Sequence, residues 1–267
     1  MAYSARILAD SITEQGDRLT TLEVTFPRIV LPEFNTHRML SRNSASSRAI
    51  PVEKMISAVE ADPFVPSSFG KNQRGMSSSE DLTGDPARIA HGTWMRTLRW
   101  SIDCARQMAW VGVHKQIANR LLEPFCWQTV VVTATEWSNY FALRCSHDAQ
   151  PEIRTISEMM RDAIDASSPR VIRRHGWHTP FVDDEEVSRI LEEATAEGAS
   201  AEHTLVGHVS AGRCARVSYL THDGRRDWRA DLELSLRLRR DGHMSPFEHV
   251  ARPMTKGERS YQSRRGR

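Results

Sequence analysis

Apolar and polar positions alternate along residues 5–31 with the period of a pleated strand. Two strands are predicted there, at 6–10 and 19–26, joined by a turn around Gln15-Gly16-Asp17. Pro27 and Pro32 then bracket a second extended piece, residues 28–31, which feeds a polar segment starting at Asn35. Residues 52–61 have the spacing of a short helix. From 62 to 86 the chain is rich in Pro, Ser and Gly, a surface loop or lid long enough to suspect function. Asp85-Pro86 opens a helix. Ile89, Trp94, Leu98, Ile102, Met108 and Val111 recur at near-helical spacing, which predicts helix from 87 to about 122, interrupted at Gly112. Residues 129–133 are apolar and β-branched, suited to a buried strand or a helix-packed connector. Trp137, Phe141, Ile153, Ile156 and Met160 mark helical surfaces through about residue 165. Two further helices are expected at 183–197 and 227–240, with a strand-like stretch at 211–220 between them. No internal repeat and no clean boundary is apparent, so the pattern predicts one α+β domain over residues 1–267.

Composition narrows the class. With 267 residues, 39% of them hydrophobic and 26% charged, the chain can bury a substantial core without staples and is not globally disordered. No apolar run approaches a membrane span, and the N-terminus lacks a continuous apolar stretch of the secretory kind, which predicts a cytoplasmic protein. Cys104, Cys126, Cys145 and Cys214 lie far apart without a CxxC pair, so they read as buried or incidental thiols, and no metal site is expected. The formal net charge of +2 hides clusters of arginine. Arg225, Arg226, Arg229, Arg237, Arg239 and Arg240 crowd one stretch, and the basic tail, 252–267, ends in Arg264-Arg265-Gly266-Arg267. Only Trp228 interleaves with them, too few aromatics for a single-strand platform, so a solvated helix face is preferred to a nucleic-acid surface.

The chemistry concentrates in residues 36–48, Thr-His-Arg-Met-Leu-Ser-Arg-Asn-Ser-Ala-Ser-Ser-Arg. One imidazole, three guanidiniums and several hydroxyls within 13 residues suit a phosphate monoester or pyrophosphate, whose charged oxygens need donors in fixed geometry. Arg38 and Arg48 are ten apart, so a loop curled around an anion fits better than one helical turn.

The spacing His-Arg-x-x-Ser-x-Asn-x-x-Ser-x-Arg from His37 to Arg48 resembles the signature of the flavin-dependent thymidylate synthases, the ThyX family. Asn139-Tyr140-Phe141-Ala142-Leu143-Arg144 followed by Ala149-Gln150-Pro151-Glu152-Ile153-Arg154 resembles a second block of that family. Cys214-Ala215-Arg216-Val217-Ser218-Tyr219 and Ser245-Pro246-Phe247-Glu248-His249 resemble its Ala-Arg-Val-Ser-Tyr and Ser-Pro-Phe-Glu-His blocks. The resemblance implies an α+β fold with an antiparallel or mixed sheet flanked by long helices. It also implies a homotetramer with active sites at subunit interfaces. The implied reaction converts dUMP to dTMP, with carbon from 5,10-methylenetetrahydrofolate and a hydride from FAD reduced by NADPH. Carried over by position, Ser46, Ser47 and Arg48 would hold the dUMP phosphate, and Arg120 would join them. Glu33, Ser44 and Ala45 belong to the same substrate segment. Thr36, His37, Arg38, Met39, Asn139 and residues Thr133, Ala134 and Thr135 would touch the flavin nucleotide, with Ser218, Ser245 and His249 more remote candidates. Arg144 matches the arginine that lies against the pyrimidine and helps ionise its N3; a fixed guanidinium there stabilises the anion as electron density moves towards C5. The bland alternative for Arg144 is an ion pair with Asp148 or Glu152.

Several positions depart from the family. Thr36 stands where Arg is usual, Ser44 replaces Glu, Ala49 replaces Tyr, and Glu33 falls where Gln is expected. Depending on whether one counts from Gly112 or from Pro124, the family arginine falls at Asn119 or Arg120; Arg120 is preferred because it can pair with phosphate. The last two blocks usually precede the His-Arg motif and here follow it, as in a circular permutation, which is tolerated when the termini lie near each other. Two further readings remain open. One is a dUMP or dCMP 5-hydroxymethylase, motivated by Glu33, Thr36 and Ser44. The other is a non-catalytic protein that binds nucleotide or nucleic acid.

Overall fold

In the computed structural model, residues 3–173, 176–198, 203–218 and 227–254 are described. β1 (Ser4–Thr13) and β2 (Arg18–Pro27) form an antiparallel hairpin that turns through Gly16, whose φ of 86° is open to glycine. β2 then pairs with β4 (Trp127–Ala134), and β4 with β3 (Ser41–Ser44), all antiparallel. β5 (Arg170–Ile172) adds to β1 in parallel, giving a mixed sheet of order β3-β4-β2-β1-β5.

The period-2 pattern of β2 explains the two layers around this sheet. Leu22, Val24 and Phe26 point to one face with Val130 and Val132, and there Ile153, Ile156, Met160 and Ile164 of α6 (Pro151–Ala166) cover them. The opposite face carries Val131, packed against Phe181, Cys214 and Val217. Thr21 and Thr133, directly paired on neighbouring strands, are buried there too. A second cluster joins α2 (Val52–Ala61) and α3 (Gly84–Trp110) through Met55, Ile56, Val59, Leu98 and Ile102. A third joins α7 (Asp184–Ala196), α8 (His203–Ala215) and α9 (Trp228–Arg240) through Ile190, Ala194, Val206, Val209 and Trp228.

Three stretches differ from the sequence expectation. Residues 28–31 are not extended. A 3-10 turn, Arg28–Val30, runs into α1 (Leu31–Asn35), because Pro32 sits in the first turn of a helix, where its missing N–H costs nothing, and Val30 and Phe34 are buried. Residues 211–218 are not a strand: α8 continues to Ala215 and a 3-10 turn follows at Arg216–Ser218. Its small residues serve helix packing. A Cβ on Gly212 would collide with the Asp231 backbone of α9. The third lies after the expected break, where Gly112 has φ 83° and the chain resumes as α4 (Lys115–Ala118): Asn119–Phe125 is a 3-10 segment rather than α-helix.

The 62–86 loop folds on itself, with Gly70 bridged to Asp81 and Phe64 anchored by its N–H to the Phe125 carbonyl. Residues 251–254 share a cavity with Ser11 and Thr13, whereas Ser4 lies at the other end of β1, so these two described ends are not adjacent. Residues 219–226 and 255–267, with Tyr219, Arg225, Arg226 and the arginines of the tail, lie outside the described residues, and so does the side chain of Ser218.

Candidate functional site

α1 is only five residues long, too short to be stable alone, and Arg42 holds its end in place. From β3, the Arg42 guanidinium donates to the carbonyls of Phe34 (3.2 Å), Asn35 (3.1 Å) and His37 (2.8 Å). Two of these carbonyls lie at the C-terminus of α1 and the third, His37, in the turn after it, so the cation adds to the turn's own backbone bonds and matches the helix dipole. The turn that follows, residues 36–40, is thereby fixed against α5 (Ser138–Arg144). The His37 ring packs edge-on to Tyr140 at 4.9 Å, and Tyr140 is tied to Ser157 of α6 by a 2.7 Å hydrogen bond.

Arg144, in the last turn of α5, donates from Nε to His37 Nε2 at 2.8 Å. Its second edge reaches Thr36 Oγ1 (3.3 Å) and the Glu33 carbonyl (3.5 Å). All three partners are uncharged acceptors. Burial, with Arg144 and Arg42 beside it, pushes His37 down to about 4, so the imidazole is neutral and offers Nε2 as an acceptor. Among the described residues Arg144 makes no ion pair; Asp148 pairs with His147 and Glu152 accepts from Gln150. The bland alternative for Arg144 is therefore not what the structure shows. Thr36, His37, Arg38, Met39, Asn139 and Arg144 line one open cavity of about 360 Å³, together with Leu40, Glu136, Tyr140 and Leu143. Arg38 is exposed and has no partner among the described residues. Glu33 turns its carbonyl to Arg144, while its carboxylate oxygen Oε2 is buried with no hydrogen-bond partner.

Ser44 to Arg48 lie elsewhere. The loop after β3 is stitched to β4 by Ala45 N–H to the Thr129 carbonyl and by Gln128 Nε2 to the Ala45 carbonyl. Ser47 is buried and donates to Glu123, while Ser44 and Arg48 are exposed. Asn119, fully buried, donates to the carbonyls of Ser47 and Ile50 and so shapes this loop from below. Arg120 points outward and pairs with Glu123. Ala45 and Ser47 line a separate cavity of about 390 Å³ that shares no residue with the Arg144 cavity.

The remaining candidates form a third group. Thr133 and His249 are buried and bonded to one another, Oγ1 to Nδ1 at 2.7 Å. Ala134 is buried, Thr135 borders a 520 Å³ cavity that meets the Arg144 cavity at Glu136, and Ser245 is exposed at the start of a 3-10 turn, Ser245–His249. Single-chain geometry thus gathers the Arg144 group but does not bring Ser44–Arg48 or His249 into it. It does seat both C-terminal blocks beside the motif strand: Asn43 of β3 donates to the Cys214 carbonyl, and His249 bonds Thr133 of β4.

Sequence reasoning missed Arg42 as an anchor, Arg28 and Glu123 as partners of the Ser47 loop, and His178. Arg28, Glu123 and His178 act through contacts distant in sequence, so no local signal marks them. Arg42 alone could have been noticed, as a third cation inside the motif.

The described residues form a mixed sheet backed by α6, with an arginine–imidazole pair at one cavity and a hydroxyl-rich loop at another. The chain belongs to the thymidylate synthase complementing protein family, Thy1, the flavin-dependent thymidylate synthases, which it matches over residues 11–170. That match ends before both C-terminal blocks. The fold is similar to crystal structures of the UMP/dUMP methylase PolB from Streptomyces cacaoi, bound with 5-Br dUMP and with 5-Br UMP. These are 14% and 15% identical, with TM-scores of 0.50 and 0.52; 61% of this chain covers 90% and 88% of theirs. No curated relative matches in sequence.

Proposed function

We propose that this chain is a thymidylate synthase of the flavin-dependent type, methylating dUMP at C5 with 5,10-methylenetetrahydrofolate and NADPH-reduced FAD. The observation that carries the reading is the uncompensated charge of Arg144. Its partners are a neutral imidazole, a hydroxyl and a carbonyl. A guanidinium held this way keeps its full charge for an anionic ligand, whereas one paired to a carboxylate would already be neutralised. Placed over a uracil, it favours loss of the N3 proton and holds the resulting anion.

The donor set fits a flavin nucleotide. Arg38, with no carboxylate partner among the described residues, together with Asn139 on the same cavity, offers donors to phosphate and ring oxygens. The flavin would supply the hydride; the chain supplies position and charge. A cavity of about 360 Å³ takes part of a dinucleotide. We therefore read the site as completed by other subunits of a homotetramer, with residues 1–267 as one catalytic domain. Exposed Ile89, Trp100, Trp110 and Val111 along and just after α3 support such assembly.

A second reading, 5-hydroxymethylation of dUMP or dCMP, is favoured by Glu33. The family amide both donates and accepts, whereas a carboxylate only accepts, and one oxygen here is buried without a donor. Mass spectrometry of the nucleotide product separates the readings. Incubation with FAD, the folate and dUMP or dCMP, with and without NADPH, is expected to yield a methylated uracil nucleotide that requires NADPH. A hydroxymethylated product without NADPH consumption would establish the second reading. No product with any combination would leave a binding protein.

A further inference from the structure

Three donors converge on one oxygen at the edge of the Ser47 loop. Glu123 Oε1 accepts hydrogen bonds from Ser47 Oγ and from the Arg120 guanidinium and is ion-paired with the Arg28 guanidinium, each at 2.8 Å. Two of the three groups are set from outside the cluster. Gln128 holds the other arm of Arg28, and Asn119 holds the Ser47 carbonyl. Arg120 and Glu123 sit on the same 3-10 segment, three residues apart. Two guanidiniums around one carboxylate leave a surplus positive charge at the cluster, and Arg48, without a partner among the described residues, adds another on the same loop.

This is a donor arrangement suited to a dianion. A phosphate monoester brings three acceptor oxygens and close to two charges, so it can satisfy the same donors with better charge balance than a single carboxylate. Glu123 is one-fifth exposed, at the rim of the cluster, so its side chain can swing to solvent without moving the backbone.

We propose that Arg28, Ser47 and Arg120 form the phosphate-binding site of the chain and that Glu123 occupies it as an internal competitor, displaced when a phosphate monoester binds. Arg28 lies outside every motif and becomes a direct substrate-binding residue. Glu123 sets the threshold for entry: only a ligand with more charge than a carboxylate displaces it, and an unphosphorylated nucleoside does not. The proposal rests on the nucleotide reading for the identity of the ligand but not for the existence of the anion site.

The test is calorimetric titration of the purified full chain, wild type and Glu123→Gln, with dUMP, deoxyuridine and inorganic phosphate. Glu123→Gln is expected to bind dUMP and phosphate about tenfold more tightly, with deoxyuridine unchanged. Arg28→Met is expected to weaken dUMP about tenfold. If Glu123→Gln folds poorly, Glu123→Asp, which keeps the charge but shortens the reach, should show a smaller tightening in the same order. Wild type and both Glu123 variants binding dUMP equally would sink the proposal while leaving the nucleotide reading intact. Tighter phosphate without any dUMP binding would uphold the internal competitor and overturn the nucleotide reading. Weaker phosphate binding by a folded Glu123→Gln would make Glu123 a scaffold and refute the proposal.

Discussion

Acid should unfold this protein through two buried histidines. Ser11 Oγ meets His178 Nδ1 at 2.9 Å, and His178 Nε2 meets Thr21 Oγ1 at 2.8 Å. Thr21 then bonds Thr133 at 2.6 Å, and Thr133 bonds His249 Nδ1 at 2.7 Å. All five side chains are buried, and both histidines are fully so. Burial pushes His178 down to about 3 and His249 to about 4. In the unfolded chain both return to about 6.5, so below that pH the unfolded state binds protons that the folded state does not. Stability therefore falls as pH drops from 6.5 towards 4, by about 1.4 kcal/mol per pH unit for each group. Two units and two groups give roughly 5 kcal/mol, comparable with the whole net stability of many domains. Asp10, held below its usual value by Arg18, Ser167 and Thr20 against the cost of burial, adds to the loss only below about pH 4. The half-buried His37 and His208 contribute less. Urea unfolding at pH 7, 6, 5 and 4.5 reads the slope directly. His178→Gln, which keeps a neutral polar group, should be less stable at pH 7 yet lose stability with acid about half as steeply. A flat wild-type profile between pH 6.5 and 4.5, or an unchanged slope in His178→Gln, would refute the linkage.

Three other outcomes follow from the contacts. Arg144→Gln removes the uncompensated charge, so steady-state kinetics should show turnover falling by about 10² to 10³ with a smaller change in KM; full turnover would remove Arg144 from the chemistry. Arg48 is exposed and makes no hydrogen bond or ion pair among the described residues, so the thermal midpoint of Arg48→Ala should match wild type while dUMP affinity falls by roughly 1.5–3 kcal/mol; unchanged affinity would place the phosphate away from Arg48. Gly212→Ala should destabilise by about 1–3 kcal/mol through its collision with the Asp231 backbone, read as a lowered urea midpoint with dUMP affinity per folded molecule unchanged.

What was legible in the sequence divides along a physical line. The hairpin of β1 and β2, the helix at 52–61 and the break at Gly112 announce themselves because their determinants are local: alternation, a 3.6-residue period, and a glycine where φ must be positive. The two helical stretches misread as extended fail for the opposite reason. Pro32 looks like punctuation until Val30 and Phe34 are seen buried, and residues 211–220 pass for a strand until Gly212 is seen packed on α9. The candidate site splits in the same way. His37, Arg38 and Arg144 carry a motif, and the fold brings them to one cavity although His37 and Arg144 are 107 residues apart. Arg28, Glu123 and His178 carry none, since a residue that works by reaching a group distant in sequence leaves no spacing to detect; Arg42 sits inside the motif, but at a position its pattern leaves open. The motif therefore names the groups that would face ligands, and the groups that hold them at the right distance and protonation become visible only in the folded chain. Engineering that preserves the motif alone, grafting residues 36–48 without Arg28, Asn119 and Glu123, would transfer the donors but neither the backbone bonds that shape their loop nor the carboxylate that guards it.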